Sequence, residues 1–352
     1  MTRFIFLFLC LSSFAFGQNY QWTKLDTEAF RGKQDDIYFI GNEAWYINGI
    51  GRIFHSEDNG KSWEMQLEKT GTFFRCINFI DSLNGFAGTI GTDYFPNVQD
   101  TVPLYRTTDG GKSWQAVEYR GPTVKGLCAM DHFKEAYINH GELSYKTHIY
   151  GVGRVGSPAF MMESHDAGAT WTSRDMSPYC SMLFDIKMLS AKVGFACAAS
   201  SYDLRQSHAV LLKTEDGAKT WKVVYESERP FETTWKLDFP SDSIGYATIQ
   251  SYNPDTTVSM QRIVKTTNGG NTWKEMDLVD DYRLREFGIG FIDDQHGFVG
   301  TTRTGFETLD GGHSWHKIDL GYACNKIRID RSDAHKPKGY AIGVSVLRLE
   351  GK

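Results

Sequence analysis

The chain has 352 residues, of which 41% are hydrophobic and 14% aromatic, and its formal net charge is −5 at neutral pH. An acidic balance of this size argues against a nucleic-acid-binding protein. Helical periodicity is nearly absent, and the sequence contains neither a low-complexity segment nor a run of like charge, so no linker between domains is indicated.

Residues 1–17 have the pattern of a secretory signal peptide. Arg3 supplies a positive charge, residues 4–14 are largely apolar, and Ala15-Phe16-Gly17 offers small residues at a cleavage position. The apolar run is too short to span a bilayer. We therefore expect a mature chain of residues 18–352, exported to the periplasm or the exterior and not membrane-spanning. A lipid anchor on Cys10 is the alternative, which the large Leu9 before it disfavours.

Six copies of an eight-residue pattern that ends in tryptophan follow, at a period of about fifty residues. They occupy positions 56–63, 107–114, 164–171, 214–221, 266–273 and 308–315. Their third and eighth positions are Asp58 and Trp63, Asp109 and Trp114, Asp166 and Trp171, Asp216 and Trp221, Asn268 and Trp273, and Asp310 and Trp315. A repeat of this length is typical of a solenoid or a propeller.

Each copy lies between two short apolar runs, which predicts a strand, a tight turn and a second strand. The third residue can accept hydrogen bonds from backbone N–H groups of its own turn, and the glycines permit positive φ. The tryptophan covers the hairpin with a large apolar surface. A catalytic or metal-binding role for the repeated acid is the alternative, but six equivalent turns cannot converge on one site.

These copies resemble the Asp-box, or bacterial neuraminidase repeat, written Ser/Thr-x-Asp-x-Gly-x-Ser/Thr-Trp. Two copies depart from it, because Asn268 replaces the acid and Ala218 replaces a glycine. The resemblance covers the whole chain after the leader and implies a β-propeller.

A second repeat lies between the boxes: an apolar strand, a polar turn, then Gly or Ala with an aromatic residue. Clear copies end at 85–87, 194–196, 245–247 and 297–299, and weaker ones at 44–46, 136–138 and 339–341. Two strands here and two around each box make a four-stranded blade. Seven such hairpins predict an all-β, seven-bladed propeller of antiparallel blades, with six blades plus extra strands as the alternative.

The two ends of the chain supply the strands that the seventh blade lacks. Positions 344–349 match the strand before a box, and positions 21–25 match the strand after one, including Trp22. We therefore expect the N- and C-terminal strands to pair in one sheet and close the ring, which also hides exposed sheet edges.

Five cysteines remain after the leader, so at least one is unpaired or pairs between chains, and their pairing is left open. No Cys-x-x-Cys, His-x-His or glycine-rich phosphate loop is present. We expect no catalytic residue, no metal and no cofactor.

The box turns and the polar turns of the second repeat are predicted to lie on one face of the ring. The opposite face then carries the connections between the second and third strands of each blade. Long connections are expected at 88–102, 139–159, 198–209 and 248–261, and such loops commonly carry binding sites. Their candidate residues are Tyr94, Tyr145, Tyr150, Arg154, Tyr202, Arg205 and Tyr252. The alternative is that these rings merely pack the loops onto the blades.

The mouth of the central channel is a second candidate site. Just before or within the innermost strands lie Arg75, Asp185, Trp235, Lys236, Arg285, Phe287 and Lys326, together with Asp36 and Arg328. The alternative is that these mixed charges pair with each other across the channel.

Three functional hypotheses remain. A sialidase-like glycoside hydrolase would need an arginine triad, but neither 30–33 nor 51–54 matches the Phe/Tyr-Arg-Ile-Pro stretch, and other glycosidases need two facing carboxylates. The boxes joined by Gly-aromatic-Ala hairpins look like the photosystem II assembly-factor-like branch of Asp-box proteins, which implies an exported, protein-binding scaffold or assembly factor. A sugar-binding propeller is the third. We expect a monomeric, non-catalytic scaffold that binds a protein, or alternatively a glycan, on the face opposite the boxes.

Overall fold

The chain folds into a closed ring of seven sheets. The computed structural model describes residues 20–351 apart from positions 29, 31, 33 and 334. In these residues every sheet is antiparallel and four-stranded, and the only helical element is a 3-10 turn at Leu204–Gln206. The predicted all-β, seven-bladed propeller is confirmed. The predicted leader, residues 1–17, lies outside the described residues.

The blades follow the chain in order. Blade 1 contains β2 (Gln34–Ile40), β3 (Glu43–Asn48), β4 (Arg52–Ser56) and β5 (Glu64–Glu68), and blade 2 contains β6 (Phe74–Phe79), β7 (Gly85–Thr89), β8 (Leu104–Thr107) and β9 (Gln115–Ala116). Blade 3 contains β10 (Ala129–Asn139), β11 (Glu142–Gly153), β12 (Phe160–Ser164) and β13 (Thr172–Asp175), and blade 4 contains β14 (Met182–Met188), β15 (Gly194–Ala199), β16 (Ala209–Thr214) and β17 (Lys222–Glu226). Blade 5 contains β18 (Glu232–Asp238), β19 (Gly245–Ser251), β20 (Met260–Thr266) and β21 (Lys274–Asp280), and blade 6 contains β22 (Glu286–Phe291), β23 (Gly297–Thr301), β24 (Gly305–Thr308) and β25 (His316–Ile318). Blade 7 contains β26 (Lys326–Asp330), β27 (Lys338–Ile342), β28 (Val346–Gly351) and β1 (Tyr20–Lys24).

The N-terminal strand closes the ring as predicted. β1 pairs with β28 in antiparallel register from Tyr20↔Gly351 to Lys24↔Leu347, and the Leu25 N–H continues the ladder to the Val346 carbonyl at 2.9 Å. Trp22 packs edge-on against Phe298 of blade 6, with ring centroids 5.2 Å apart. Blade 7 is therefore assembled from both ends of the chain.

The apolar core is divided among the seams between neighbouring blades. Seven clusters of buried side chains are present, one for each seam. Aromatic rings stack across several of them, as in Trp45 on Phe79 at 3.8 Å and Tyr246 on Phe291 at 3.7 Å. The first strand of each blade contacts that of the next, so the first strands form the inner ring around the channel.

Each Asp-box turn is held by the same set of hydrogen bonds. In blade 2 the Thr107 hydroxyl donates to Asp109 Oδ1 at 2.8 Å and accepts the Gly111 N–H at 2.9 Å. Asp109 also accepts the Ser113 N–H at 2.9 Å and its hydroxyl at 2.6 Å. Hydrogen bonds from Ser113 hold the pKa of Asp109 at about 2. The carboxylate is thus fully engaged within its own turn.

The two atypical boxes keep this geometry. Asn268 Oδ1 accepts the Thr272 N–H at 3.0 Å, and its amide donates to the Thr272 hydroxyl at 2.9 Å. Ala218 adopts a φ of 66°, in the left-handed region that its glycine counterparts occupy. The box tryptophans pack into the seam with the preceding blade, as Trp171 does against Phe86.

Blade 3 differs from its predicted register. The expected second strand at 136–138 belongs to β10, which pairs with β11 from Ala129↔Val152 to Asn139↔Glu142 around a turn at positions 140–141. The buried ring of this blade is Tyr150, which is 1% exposed, and not Tyr137. Residues 139–159 are therefore mostly a strand and not a connection. The inner hairpin of blade 3 is longer than those of the other blades, whose inner strands span five to seven residues.

Aspartates on the inner strands bind the next blade through its backbone. Asp36 accepts the Ile77 N–H at 3.1 Å, and Asp131 accepts the Met188 N–H at 2.8 Å. Asp185 and Asp238 do the same with the N–H groups of Leu237 at 3.2 Å and Phe291 at 2.8 Å. A hydrogen bond to a charged acceptor in a buried setting is stronger than a neutral one, so these contacts join neighbouring blades.

Candidate functional site

The two faces of the ring are distinguished by their turns. The Asn59 N–H of the first box donates to the Asn42 carbonyl of the inner hairpin turn at 2.8 Å, and Gly110 donates to Leu83 in the same way at 3.0 Å. Box turns and inner hairpin turns therefore share one face, which we call the box face. The opposite face carries the connections between second and third strands, the longest of which spans positions 90–103.

Bulges on the innermost strands bring candidate residues into the channel. The pairing register shifts between Phe74 and Cys76, between Thr234 and Leu237, and between Glu286 and Ile289. The residues left over at these shifts include the predicted candidates Arg75, Trp235, Lys236 and Phe287. A bulge re-aims side chains out of the regular alternation, and here the redirected groups meet across the ring.

The channel charges pair with one another. Lys326 donates to Asp185 at 2.8 Å, Lys236 lies 3.7 Å from the same carboxylate, and Arg75 pairs with Asp35. Burial would raise the pKa of Asp185, but Lys236 and Lys326 outweigh it and hold that pKa below its usual value. These side chains are largely buried. Mutual pairing across the channel, the alternative given for these residues, therefore describes them better than a binding role does.

Aromatic rings line the opposite-face mouth of the channel. Trp235 lies 4.8 Å from Phe184 and 6.4 Å from Phe287 between ring centroids, and the Arg75 guanidinium sits 5.6 Å from the Trp235 ring. Arg75 belongs to blade 2 and Trp235 to blade 5, so the contact spans the channel. A cation over an indole face is attracted by the ring quadrupole.

Tyr252 and Arg285 form the rim of this mouth. The guanidinium of Arg285 lies 5.0 Å from the Tyr252 ring centroid, and the Tyr252 hydroxyl donates to Gln250 at 2.6 Å. Burial raises the pKa of Tyr252 to about 12, Arg285 opposes this, and Tyr94 adds to it. Tyr94 comes from the long blade 2 connection on the same face of the ring.

The blade 2 connection presents further rings to solvent. Tyr94 is 45% exposed and packs edge-on against Phe95, which stacks on Phe73 at 4.9 Å. Phe95 therefore packs this loop onto blade 2, as the alternative to a binding role for the loop rings predicts. We call Tyr94, Trp235, Tyr252, Arg285 and Phe287 the mouth group.

Several other predicted residues lie elsewhere. Arg154 is 3% exposed and pairs with Asp93, so it is not a surface residue. Tyr145 lies on β11 on the box-face side of the ring, which corrects its predicted position, and Tyr150 is buried in the seam between blades 3 and 4. Tyr202 is exposed on the opposite face, where Arg205 pairs with Asp203 at 2.8 Å.

Sequence reasoning missed Phe184, Phe73 and Gln250 at this mouth. Phe184 sits at a bulge between Leu183 and Asp185, and no local pattern announces a bulge. Among the described residues no group of three or more His, Cys, Asp or Glu could hold a metal ion. The five cysteines in that part of the chain are buried free thiols.

The fold and its turns define a seven-bladed β-propeller built on Asp-box repeats. The family model described as the BNR/Asp-box repeat matches residues 105–116. The photosystem II assembly lipoprotein Ycf48 of Prochlorococcus marinus is 45% identical over 49 residues, and that of Picosynechococcus sp. is 51% identical over 55 residues. These matches cover only 14% and 16% of the relatives' own length. The predicted resemblance to this branch is confirmed.

Solved structures share the fold across nearly the whole chain. A structure described as Ycf48 bound to D1 peptide has a TM-score of 0.64 at 13% identity and covers 95% of both chains. Ycf48 from Cyanidioschyzon merolae gives 0.64 at 16% identity, over 93% of this chain and 98% of that one. A GH74 xyloglucanase from Xanthomonas campestris gives 0.62 at 12% identity, over 94% of this chain and 53% of that one. In the described part of this chain, no helix has the length and apolarity that crossing a membrane requires.

Proposed function

We propose that this protein is an exported, non-catalytic scaffold or assembly factor that binds a protein segment at the opposite-face mouth. The observation that carries the proposal is the mouth group itself. Rings from blades 5 and 6 lie there beside the exposed cation of Arg285, and Tyr94 of the blade 2 connection is exposed on the same face, although the ring fold does not need these groups there.

The chemistry of the mouth group suits a polypeptide. Tyrosine offers apolar area with little side-chain entropy to lose, and arginine can receive a carboxylate or a backbone carbonyl. Trp235 is 7% exposed, so it packs against Phe287 and presents little surface of its own. Arg285 is exposed, and among the described residues no carboxylate forms an ion pair with it. Its guanidinium is held over Tyr252 and therefore pre-positioned for a partner.

The carboxylates around the channel support a non-catalytic role. Asp36 is bound by Arg328 at 3.0 Å, and Asp185 is bound by two lysines. Glu286 has a pKa raised well above its ordinary value by burial, but it is 0% exposed and out of reach of a substrate. Glycosidases need an acid and a second carboxylate that both face the scissile bond.

The relatives support protein binding and export. One similar structure is described as bound to a D1 peptide, and the two matched sequences belong to assembly lipoproteins. We extend to this chain a protein partner and an exported location, with residues 1–17 removed as a leader. The photosystem itself is not part of the proposal.

The test is cross-linking of the tagged, full-length protein in its native envelope, followed by mass spectrometry. We expect a reproducible partner whose cross-links map to the 90–103 and 252–259 connections. The variant Tyr94→Ala/Arg285→Ala should lose most of that partner. The matched control Tyr202→Ala/Arg205→Ala, which changes the same residue types on the same face outside the mouth group, should retain it.

Two further assays separate the alternatives. A glycan array would identify a sugar-binding propeller, and fluorogenic sialosides and aryl glycosides would reveal a hydrolase. Turnover well above background that is lost on changing one carboxylate would overturn the scaffold proposal. Equal partner recovery by the mouth variant and its control would remove the proposed site.

A further inference from the structure

The extended hairpin of blade 3 projects from the box face. In other blades, a box N–H donates to the inner hairpin within its turn, as Asn59 does to Asn42. In blade 3 the equivalent donor, Ala167, bonds the carbonyl of Thr147, inside β11. The stretch between Lys134 and Thr147 therefore stands beyond the ring, and its turn at His140 and Gly141 has the positive φ values of a two-residue hairpin.

One face of this projecting hairpin is apolar. Ile149 pairs with His132 and packs in the seam between blades 2 and 3, which fixes the direction in which this face points. Alternate residues share a face of a sheet, so the pairs Lys134↔Thr147, Ala136↔Tyr145 and Ile138↔Leu143 lie on the same side. Ile138, Leu143 and Tyr145 are 70%, 60% and 59% exposed. We call these three side chains the hairpin patch.

A basic cavity opens at the foot of the same face. It has a volume of about 910 Å³ and lies at the box-face mouth of the channel, between strand ends of blades 1, 2, 3, 4 and 7. Its basic residues are Lys134, Lys187, Arg328, Lys336 and Lys338, and its acidic ones are Asp131, Asp330 and Asp333. The cavity is therefore lined by more basic than acidic side chains, in a chain whose overall charge is negative.

Part of this positive charge is not neutralised internally. Arg328 pairs with Asp36, and Lys187 lies 3.7 Å from Asp131. Lys134 and Lys336 are exposed, and among the described residues no carboxylate forms an ion pair with either of them. Lys336 and Lys338 also line a second cavity of about 540 Å³ between blades 7 and 1, so the basic surface continues outward.

We propose that the hairpin patch and this cavity form a second binding site, for an acidic polypeptide segment that carries apolar side chains at one end. Lys134 belongs to both parts, because it lines the cavity and shares the face of Ile138. At about 3.3 Å per residue, these two positions are about 13 Å apart along β10, which matches about four residues of an extended ligand. Acidic side chains enter the cavity while apolar ones cover the patch.

This site goes beyond the proposed function, because it lies on the other face and shares no residue with the mouth group. Exposed apolar side chains rimmed by charge commonly mark protein contact surfaces. Complementary charge supplies the specificity of such a contact, and the apolar anchors supply much of its affinity.

The test uses fluorescence anisotropy with the mature protein and a dye-labelled peptide in which a run of Asp and Glu precedes a Leu-Phe-Leu end. We expect saturable binding that weakens with added salt. The variants Ile138→Ser/Leu143→Ser and Lys134→Glu/Lys336→Glu should each weaken binding at least about fivefold, the effect of losing roughly 1 kcal/mol. Melting curves verify that both variants remain folded.

Matched controls lie in blade 6. Leu309→Ser and Lys317→Glu change one exposed apolar and one exposed basic side chain near the box turn of that blade, and both should bind as the wild type does. Tyr94→Ala/Arg285→Ala should also bind normally, which separates this site from the proposed function. A peptide with lysine in place of the acids should not bind.

Three outcomes overturn the proposal. The first is absence of binding at peptide concentrations up to about 1 mM, because a Kd of that size corresponds to a binding free energy of only about −4 kcal/mol. The second is equal binding of the lysine peptide, or unchanged binding of the acidic peptide by either the hairpin variant or the cavity variant. The third is stronger binding of polygalacturonate than of the peptide, which would identify the site as one for acidic glycans.

Discussion

Closure of the ring by β1 can be tested by removing its two apolar anchors. Leu25 is 8% exposed and packs in the seam between blades 7 and 1, whereas Trp22 is half-buried in the seam between blades 6 and 7. Truncating a buried leucine to alanine costs about 3 kcal/mol. We assign about 2 kcal/mol to Trp22, below the cost of a fully buried tryptophan, because it keeps solvent contact and one edge-on ring partner.

The two losses should add, because the side chains lie on opposite sides of blade 7 and share no partner. The variant Trp22→Ala/Leu25→Ala should therefore lose about 5 kcal/mol of unfolding free energy, a large part of the usual 5–15 kcal/mol. At about 2 °C per kcal/mol, the melting temperature falls by about 10 °C. Thermal and urea unfolding followed by circular dichroism measure both quantities.

The control for this variant is Val223→Ala on the outermost strand of blade 4, where the valine is 50% exposed. It should change stability by less than about 0.5 kcal/mol. A chain that begins at Asp26 lacks β1 altogether and should lose its cooperative transition. If the double variant loses less than about 1.5 kcal/mol, or the shortened chain melts like the full one, the closing blade does not carry the stability assigned to it.

Three further predictions concern single positions. Tyr150→Ala should lower the free energy of unfolding by about 3–5 kcal/mol because the ring is buried. Tyr137→Ala, at a 46% exposed position, should change it by less than about 0.5 kcal/mol in the same urea assay. A larger loss from Tyr137→Ala than from Tyr150→Ala would support the register predicted from the sequence. Burial raises the pKa of Glu286 well above the ordinary 4.5, so this carboxyl costs no stability below pH 4.5, and the wild type loses stability as pH rises from 4.5 toward the raised pKa. Glu286→Gln should thus raise the melting temperature by a few degrees at pH 7 and leave it unchanged near pH 4, and a gap independent of pH would contradict this account. Hydrogen bonds hold the pKa of Asp109 at about 2. The stability that its carboxylate contributes is therefore fully present above pH 3.8, the ordinary pKa of an aspartate, and is lost as pH falls through about 2. Asp109→Ala should lower the melting temperature by a few degrees at neutral pH and Asp109→Asn by less, since Asn268 fills the same role; equal losses from both would count against the hydrogen-bond explanation.

The architecture was predictable because its determinants are local. A box turn is specified within eight residues by hydroxyl, carboxylate and glycine groups that bond one another, and its repetition sets the number of blades. Closure was predictable for the same reason, because Trp22 and the residues after it repeat the end of a box without its beginning.

Blade 3 shows where local reading fails. Ala136-Tyr137-Ile138 has the composition of an inner second strand, but the same pattern arises at the tip of a longer hairpin. Tyr150 precedes the box at position 164 by an interval similar to that between Trp45 and the box at position 56. That spacing, together with the turn-forming His140-Gly141 pair, contained the signal that composition alone did not.

The members of the mouth group were each predicted as candidates, but the contacts around the channel were not, for a different physical reason. Arg75 and Trp235 meet because a bulge redirects each of them and because the closed ring places blades 2 and 5 opposite each other. Neither the bulges nor a contact across a channel leaves a trace in sequence spacing. The innermost strands identified which residues were near the channel, but not which of their charges would be cancelled by a neighbour.

The inner-strand aspartates have a consequence for how such rings diverge. Each of these aspartates accepts a hydrogen bond from a backbone N–H group of the next blade, and every amino acid except proline supplies that group. The four are Asp36, Asp131, Asp185 and Asp238. The side chains of the strand that donates the N–H group can therefore be substituted without loss of this contact between blades. A ring joined in this way can keep its geometry while most of the side chains in the acceptor strands change.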